Sequence, residues 1–178
     1  MTADQRGVLV GMAGGLAVAM ALTFWCTAGS PGLVLSPHAL NLTQRLVLAA
    51  TTWLGPLVCL AAAIGVVASR RFFSSQDIDG AGLTQESAAL RIPRAVLANT
   101  HEQAALAIPV YTALALLLPV KQLAFPLLLS AAFVIGRALF ALGYAKGAAA
   151  RSLGFTLTFY PTVAGLVVVL LRAVRTFG

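Results

Sequence analysis

The segment that decides the fold reads LAFPLLLSAAFVIGRALFALGYAKGAAA and occupies residues 123–150. It is almost entirely apolar, and only Arg137 and Lys146 carry charge within it. A helix needs about 20 mostly apolar residues to cross the hydrocarbon core of a bilayer. Four further runs of this kind occupy residues 8–28, 45–69, 94–118 and 153–171. The pattern predicts an all-α integral membrane protein with five transmembrane helices.

The composition of the chain excludes several classes of protein. Of its 178 residues, 60% are hydrophobic and only 10% are charged, and the mean hydropathy is +0.92. A soluble domain has about 45–50% apolar and about 25% charged residues. The chain is therefore not an ordinary soluble globule, a disordered chain or a nucleic-acid-binding domain. Cys26 and Cys59 lie inside apolar runs and lack the spacing of metal ligands, so we expect neither a disulfide nor a metal.

The basic residues predict the orientation of the chain in the membrane. With five spans, seven cations fall on one side and four on the other, while one lies within a span. Cytoplasmic loops carry an excess of Lys and Arg, so we expect a cytoplasmic N-terminus and a C-terminus outside. The one long loop, residues 72–90, is then cytoplasmic and is expected to be mobile. The alanine-rich and leucine-rich composition favours a bacterial inner membrane.

Polar residues inside the predicted spans indicate a site, because ionisable groups in lipid usually face a bundle interior or a wet cavity. Asn99 and Glu102 are three residues apart and share one face of the third span. Arg137, Tyr144 and Arg151 recur every seven residues, which predicts one stripe on the fourth span. Because consecutive spans are antiparallel, Tyr144 and Arg151 reach the leaflet of Asn99 and Glu102. We expect a polar pocket open to the cytoplasm between these spans, formed within one chain or between two.

This set of side chains predicts the chemistry of a ligand. Arginine forks suit carboxylates and phosphates, and a lone carboxylate among arginines suits an ammonium group. A molecule with two carboxylates, one ammonium group and a reactive centre meets these requirements, and glutathione is one such molecule. An arginine beside its sulfur favours the thiolate, which is the nucleophilic form.

Four short patterns resemble those of a known membrane family. They are Ser69-Arg70-Arg71 at a span end, Arg91-x-x-Arg94, Asn99-x-x-Glu102, and Gly143-Tyr144 followed by Arg151. In this order, over about residues 45–171, they resemble the membrane-associated proteins in eicosanoid and glutathione metabolism (MAPEG), which include microsomal glutathione transferases. The resemblance implies a MAPEG-like four-helix domain at residues 45–178, preceded by an extra transmembrane helix and loop at residues 1–44.

The resemblance also implies an activity and partners. It implies a homotrimer that binds glutathione between protomers near the cytoplasmic face. The glutathione would act in a transferase or peroxidase reaction on a lipophilic electrophile that arrives from the membrane lipid. Arg151 would stabilise the glutathione thiolate, and Arg70 or Arg71 would lie near the second substrate. The implied ligands of the tripeptide are Arg91, Arg94, Asn99, Glu102 and Tyr144.

Three departures from the family pattern keep other hypotheses open. Arg94 stands five residues before Asn99, where the family usually has four, while Phe140 replaces a tyrosine and Gln103 an aromatic residue. These changes favour a second hypothesis, a non-catalytic membrane protein that retains the fold. A third hypothesis is a small transporter or channel subunit, although the chain lacks the internal repeats of many transporters.

The candidate side chains also have structural interpretations. Arginines at span ends commonly anchor a helix at the membrane surface. Arg137 could form an ion pair with Glu102, which would remove that carboxylate from ligand binding. Asn99 could bridge two helices, and Tyr144 could belong to the aromatic belt at the interface.

Overall fold

The computed structural model describes residues 1–28, 38–80 and 85–177, and within these ranges the chain is helical with no strand. The helices are α1 (Ala3–Thr27), α2 (Leu42–Phe72), α3 (Ala88–Leu117), α4 (Ala124–Tyr144) and α5 (Ala148–Phe177), and a short 3-10 turn (Val120–Gln122) precedes α4. The predicted fold class is confirmed: α2 to α5 form a four-helix bundle, and α1 is an additional N-terminal helix.

Four of these helices are long and apolar enough to cross a membrane, namely α1, α2, α4 with the 3-10 turn before it, and α5. The chain is therefore an integral membrane protein. α3 has 30 residues, a length of about 45 Å at 1.5 Å per residue, but Arg91, Arg94 and the polar residues 99–103 lower its hydropathy. It packs against α2, α4 and α5, which shelter its buried face.

Local signals set where the helices begin and end. Thr2 and Asn41 cap α1 and α2, and each exchanges hydrogen bonds with the glutamine three residues later, Gln5 or Gln44. These reciprocal bonds satisfy N–H groups that have no partner in the first helical turn. α3 ends two residues before Pro119, whose ring and missing N–H do not allow a helix to continue.

The core of the bundle lies between α3, α4 and α5. Tyr111, Phe125 and Phe133 are among its largest fully buried side chains. The Tyr111 hydroxyl donates to the Leu129 carbonyl oxygen at 3.2 Å, and it lies 3.1 Å from the Thr162 hydroxyl. Since hydrocarbon offers no partner to a buried hydroxyl, these bonds hold α3, α4 and α5 together in the middle of the bundle.

The structure corrects the end of the fourth predicted span. α4 ends at Tyr144, and the next three residues form a turn in which Gly147 has a φ of +102°. Glycine adopts this left-handed conformation without the steric cost that a Cβ imposes. α5 begins directly after the turn, so Arg151 lies on α5. The prediction of one stripe through Arg137, Tyr144 and Arg151 was wrong, because it extended a helical period across a break.

α1 packs along α5 through small residues. A Cβ on Gly11 would overlap the Ser152 side chain, and a Cβ on Gly15 would overlap Thr156. The Thr156 hydroxyl donates to the Gly11 carbonyl oxygen at 2.8 Å. Small residues let helices approach closely in a membrane, and hydroxyls form hydrogen bonds between helices. α1 is thus fixed against the first half of α5, next to Arg151.

The described part of the loop between α2 and α3 is organised around Asp77. This buried carboxylate accepts hydrogen bonds from the Ser87 N–H at 2.8 Å, the Ser87 hydroxyl at 2.6 Å and the Ser74 hydroxyl at 2.7 Å. The bond from the Ser87 N–H is the largest of the causes that hold the pKa of Asp77 below its ordinary value. These contacts tie residues near the end of α2 to the start of α3, while residues 81–84 of the connection that was expected to be mobile lie outside the described residues.

Candidate functional site

A cavity of about 440 Å³ opens between α1, α3, α4 and α5, near the turn that joins α4 to α5. Three of the predicted ligand residues line it: Asn99 on α3, Tyr144 at the end of α4, and Arg151 near the start of α5. Ligand pockets in proteins commonly measure about 300–1,000 Å³. The cavity, called the Arg151 pocket below, is therefore large enough for a small-molecule ligand.

Arg151 lies over the ring of Tyr144. Its guanidinium carbon is 4.2 Å from the ring centroid, which is within the range of cation–π attraction. Phe140, one turn earlier on α4, packs edge-to-face against Tyr144 with 5.3 Å between the ring centroids. No described Asp or Glu lies within ion-pair distance of Arg151. Its positive charge therefore remains available to an anion.

Asn99 is positioned by a buried arginine. Arg137 Nη1 donates to Asn99 Oδ1 at 2.8 Å, and Arg137 Nη2 donates to Thr158 Oγ1 at 3.1 Å. Arg137 is only 4% exposed, and its guanidinium carbon lies 4.3 Å from the centroid of the Phe140 ring. These contacts join α3, α4 and α5 behind the Arg151 pocket. They engage the carbonyl oxygen of Asn99 and direct its amide nitrogen away from Arg137.

The alternative ion pair between Arg137 and Glu102 does not form. Glu102 is exposed, and its Oε2 accepts a bond from Asn99 Nδ2 at 3.3 Å. The physical reason is that Asn99 and Thr158 already occupy two nitrogens of the guanidinium inside the bundle, whereas Glu102 lies on the exposed surface of α3. Its carboxylate is thus free of a structural ion pair.

The other predicted residues lie elsewhere on the bundle. Arg94 pairs with Glu86, and their side chains are 42% and 26% exposed. Arg71 and Arg94 line a cavity of about 460 Å³ between α2 and α3, called the Arg94 crevice below. Arg70 and Arg91 are exposed and line neither of these two cavities.

Within one chain the predicted site residues therefore form two groups. Asn99, Tyr144 and Arg151 meet in one cavity, while Arg71 and Arg94 meet in another. Helical geometry accounts for the separation, since the five residues from Arg94 to Asn99 turn the chain by about 140° net around the axis of α3. Two side chains so far apart around a helix face different neighbours.

Sequence reasoning missed several residues of the Arg151 pocket. α5 contributes Ser152, Thr156 and Tyr160, and α1 contributes Val8 and Met12. The residues of each set are four apart, and this spacing places them on one face of a helix. The spacing on α5 was a usable signal. The role of α1 had no such signal, because it depends on which helix α1 packs against.

The Arg151 pocket combines a cation with apolar and aromatic walls. Arg151 and Asn99 provide charge and hydrogen bonding at one side, and Val8, Met12 and Phe155 provide an apolar surface. Among the residues that the structure describes, no group of His, Cys, Asp or Glu is arranged to hold a metal. The arrangement suits a ligand with an anionic end and an apolar reaction partner beside it.

Comparisons with known proteins agree with this architecture. A family model described as MAPEG family matches residues 46–171, which run from the start of α2 into the last part of α5 and leave out α1. No curated protein and no solved structure gives a significant match. Since the family model covers four helices and well over half of the chain, the protein belongs to the MAPEG family.

Proposed function

We propose that the protein is a membrane-bound, glutathione-dependent transferase or peroxidase that acts on lipophilic electrophiles. The observation that carries the proposal is the convergence of Arg151, Tyr144 and Asn99 in one cavity with apolar walls. Membership of the MAPEG family, whose motifs implied glutathione as the co-substrate, supports the same function.

Arg151 activates the thiol in this proposal. A neighbouring cation stabilises a thiolate and lowers the thiol pKa, and no described carboxylate competes for Arg151. In transfer, the glutathione sulfur attacks the electrophilic carbon, a C–S bond forms, and the leaving group departs with the bonding electrons. With a hydroperoxide, the sulfur attacks the terminal oxygen and releases an alcohol. A second glutathione then converts the sulfenic acid into the disulfide and water.

The division of the predicted ligands between two cavities supports a homotrimer with glutathione between protomers. A tripeptide in the Arg151 pocket of one protomer would reach Glu102 at its rim and the Arg94 crevice of the neighbour. Arg94 in that crevice and Arg91 on the exposed surface of the same helix would bind a carboxylate, and Arg71 in the crevice or the neighbouring Arg70 would contact the second substrate. Co-expression of Arg151→Ala and Arg94→Ala chains tests this arrangement. Mixed trimers retain some intact sites if the two arginines come from different protomers, and they retain none if both come from one chain.

The proposed location is the bacterial inner membrane, with the N-terminus and the Arg151 pocket on the cytoplasmic side. The excess of Lys and Arg at that end of the bundle supports this orientation. Fusion of a reporter enzyme that is active only in the periplasm tests this orientation. The reporter should be active when it is fused to the C-terminus and inactive when it is fused to the N-terminus.

The primary test is the ultraviolet absorbance of the glutathione thiolate when glutathione is added to the purified protein. We expect wild-type protein to produce the signal at millimolar glutathione and Arg151→Ala to lose it. Arg175→Ala, near the other end of the same helix, is the matched control and should behave as wild type. Absence of binding, or a signal that is independent of Arg151, would overturn the proposal.

A non-catalytic MAPEG protein is the second candidate. It is favoured by the Arg94–Glu86 pair, which partly neutralises one predicted ligand, and by Phe140 in place of a tyrosine hydroxyl. This candidate predicts no Arg151-dependent turnover with any lipophilic electrophile, even where glutathione binds. A panel of aryl halide, epoxide and hydroperoxide substrates separates the two.

A further inference from the structure

A third cavity lies on the side of Arg137 away from the Arg151 pocket. It is a groove of about 370 Å³ between α2, α3 and α4. Its walls are almost entirely aliphatic, with Ala62 and Val66 on α2, Val96 on α3, and Ala138 and Ala141 on α4. Most of these residues are exposed on the bundle surface, so the groove opens towards the membrane.

The groove begins next to a close approach between α2 and α4. A Cβ on Gly55 would overlap Ser130, so the two backbones are in close contact at that level. Beyond it, Val58 on α2 and Val134 on α4 begin to line opposite walls of the groove. The helices separate from there towards the end of the bundle where α4 meets α5.

Arg137 is the charged residue in the lining of this groove. Two of its nitrogens bind Asn99 and Thr158, but Nε is buried and has no hydrogen-bond partner among the described residues. The residue is 4% exposed, and no described carboxylate lies within ion-pair distance. An ionisable residue in a membrane interior usually marks a site with a partner. A carboxylate complements the charge of a guanidinium, and an aliphatic chain complements an aliphatic groove. A ligand that combines the two would match both features.

We propose that this groove binds a single-chain carboxylate amphiphile, with the carboxylate at Arg137 and the chain between α2 and α4. The carboxylate would accept a hydrogen bond from the Nε–H of Arg137, and its negative charge would balance the charge of the buried guanidinium. The volume of the groove lies within the range for small-molecule sites, about 300–1,000 Å³, which fits one medium-length chain. Arg151 does not line this groove, and the binding proposed here requires no glutathione.

Photo-labelling in nanodiscs of phosphatidylcholine tests the proposal. The probes are a diazirine derivative of decanoate and the matching derivative of decanol, used without glutathione. Labelling of peptides from α2 and α4 is normalised to labelling of α1, which also faces lipid. We expect the carboxylate to label the groove about tenfold more than the alcohol, because a charge-assisted hydrogen bond is lost in the alcohol.

Variants separate the groove from general effects. Ala62→Phe should fill the groove and abolish the preference, whereas Ala61→Phe, next to it on the exposed surface of α2 and outside the groove lining, should leave the preference unchanged. Arg137→Gln should lose the preference for the carboxylate and Arg137→Lys should retain part of it, with helix content monitored by circular dichroism. Arg151→Ala should show the same labelling preference for the carboxylate probe as wild type. This result separates the groove proposal from the glutathione proposal, which depends on Arg151.

Three outcomes would overturn the assignment. Equal labelling by both probes would mean that the groove accepts any acyl chain, as from a phospholipid. No labelling of the groove would mean that it is covered, for example by a second copy of the chain. A carboxylate preference that survives Ala62→Phe would place the binding site elsewhere.

Discussion

The Arg151 pocket and the Arg94 crevice both present arginine at cavities of similar size, yet their arginines differ in environment. Arg151 lies against an aromatic ring with no described acid near it, behind a wall formed by α1. The Arg94 side chain is 42% exposed and pairs with Glu86. An exposed pair contributes little, about 0–1 kcal/mol, whereas a cation without a counter-ion in a semi-enclosed pocket attracts an anion strongly. If the proposed function is right, this difference predicts that Arg151 stabilises the thiolate and that Arg94 only helps to bind glutathione.

The largest expected effect is on catalytic efficiency, when Arg151 and Arg94 are replaced one at a time. Arg151→Ala should lower kcat/KM by about 100-fold or more, the loss typical of removing a group that stabilises developing charge. Arg94→Ala should cost about tenfold and act mainly through KM, as the loss of one hydrogen bond to a charged group. Steady-state conjugation assays at varied glutathione measure both. Equal losses in kcat for the two variants would contradict the distinction.

The second prediction tests the wall that α1 gives to the Arg151 pocket and that the Arg94 crevice lacks. Gly11→Leu should destabilise the protein by about 1–3 kcal/mol, because the larger side chain cannot fit against Ser152. Thermal unfolding in detergent measures the effect. Gly65→Leu is the control, since a Cβ at Gly65 meets no atom within 4 Å. Gly11→Leu should also weaken glutathione binding, and an unchanged affinity would mean that α1 does not form part of the site.

The third prediction concerns a variant in which Arg94, like Arg151, has no paired carboxylate. Glu86→Gln removes the acid that pairs with Arg94, so Arg94 becomes available to a ligand carboxylate. Glutathione affinity should rise by at most about fivefold, since an exposed pair is worth up to about 1 kcal/mol. Isothermal titration calorimetry measures the change, with Glu86→Asp as the conservative control. A decrease in affinity would show that Glu86 itself binds the ligand.

The smallest expected effect concerns the loop that leads into the Arg94 crevice. The pKa of Asp77 is held low by the Ser87 N–H, the Ser87 hydroxyl and the Ser74 hydroxyl. A carboxylate with a lowered folded-state pKa stabilises the fold above its unfolded pKa of about 3.9, and this stabilisation is lost as the pH falls through the folded-state pKa.

Limited proteolysis checks this prediction. Pepsin at decreasing pH should begin to cleave the wild-type loop only as Asp77 becomes protonated. Asp77→Asn should already be cleaved faster at neutral pH by chymotrypsin, which cleaves after aromatic residues such as the exposed Phe72 and Phe73 at the start of the loop. Asp79→Asn, at an exposed carboxylate two residues away, is the control. Equal cleavage of Asp77→Asn and wild type would mean that these hydrogen bonds do not order the loop.

Some contacts of the candidate site could be predicted from the sequence and others could not. Asn99 and Tyr144 were expected to meet because antiparallel neighbouring spans bring matching depths together, and both line the Arg151 pocket. Arg151 reached the same pocket for another reason, since the Gly147 turn folds α5 back against the end of α4. The pairing of Arg137 with Asn99 was not predicted, because several polar groups at similar depth were available to it.

The sequence by itself determined that the chain is an all-α membrane protein and where most of its helices lie, because long apolar runs and capping residues act locally. It also determined the family, through short motifs at the ends of spans. Only the tertiary structure decided that α1 forms a wall of the Arg151 pocket, that Arg94 belongs to a separate crevice, and that Arg137 has a free nitrogen beside an aliphatic groove. These features depend on which helix faces meet, and that choice is set by packing between residues far apart in the chain.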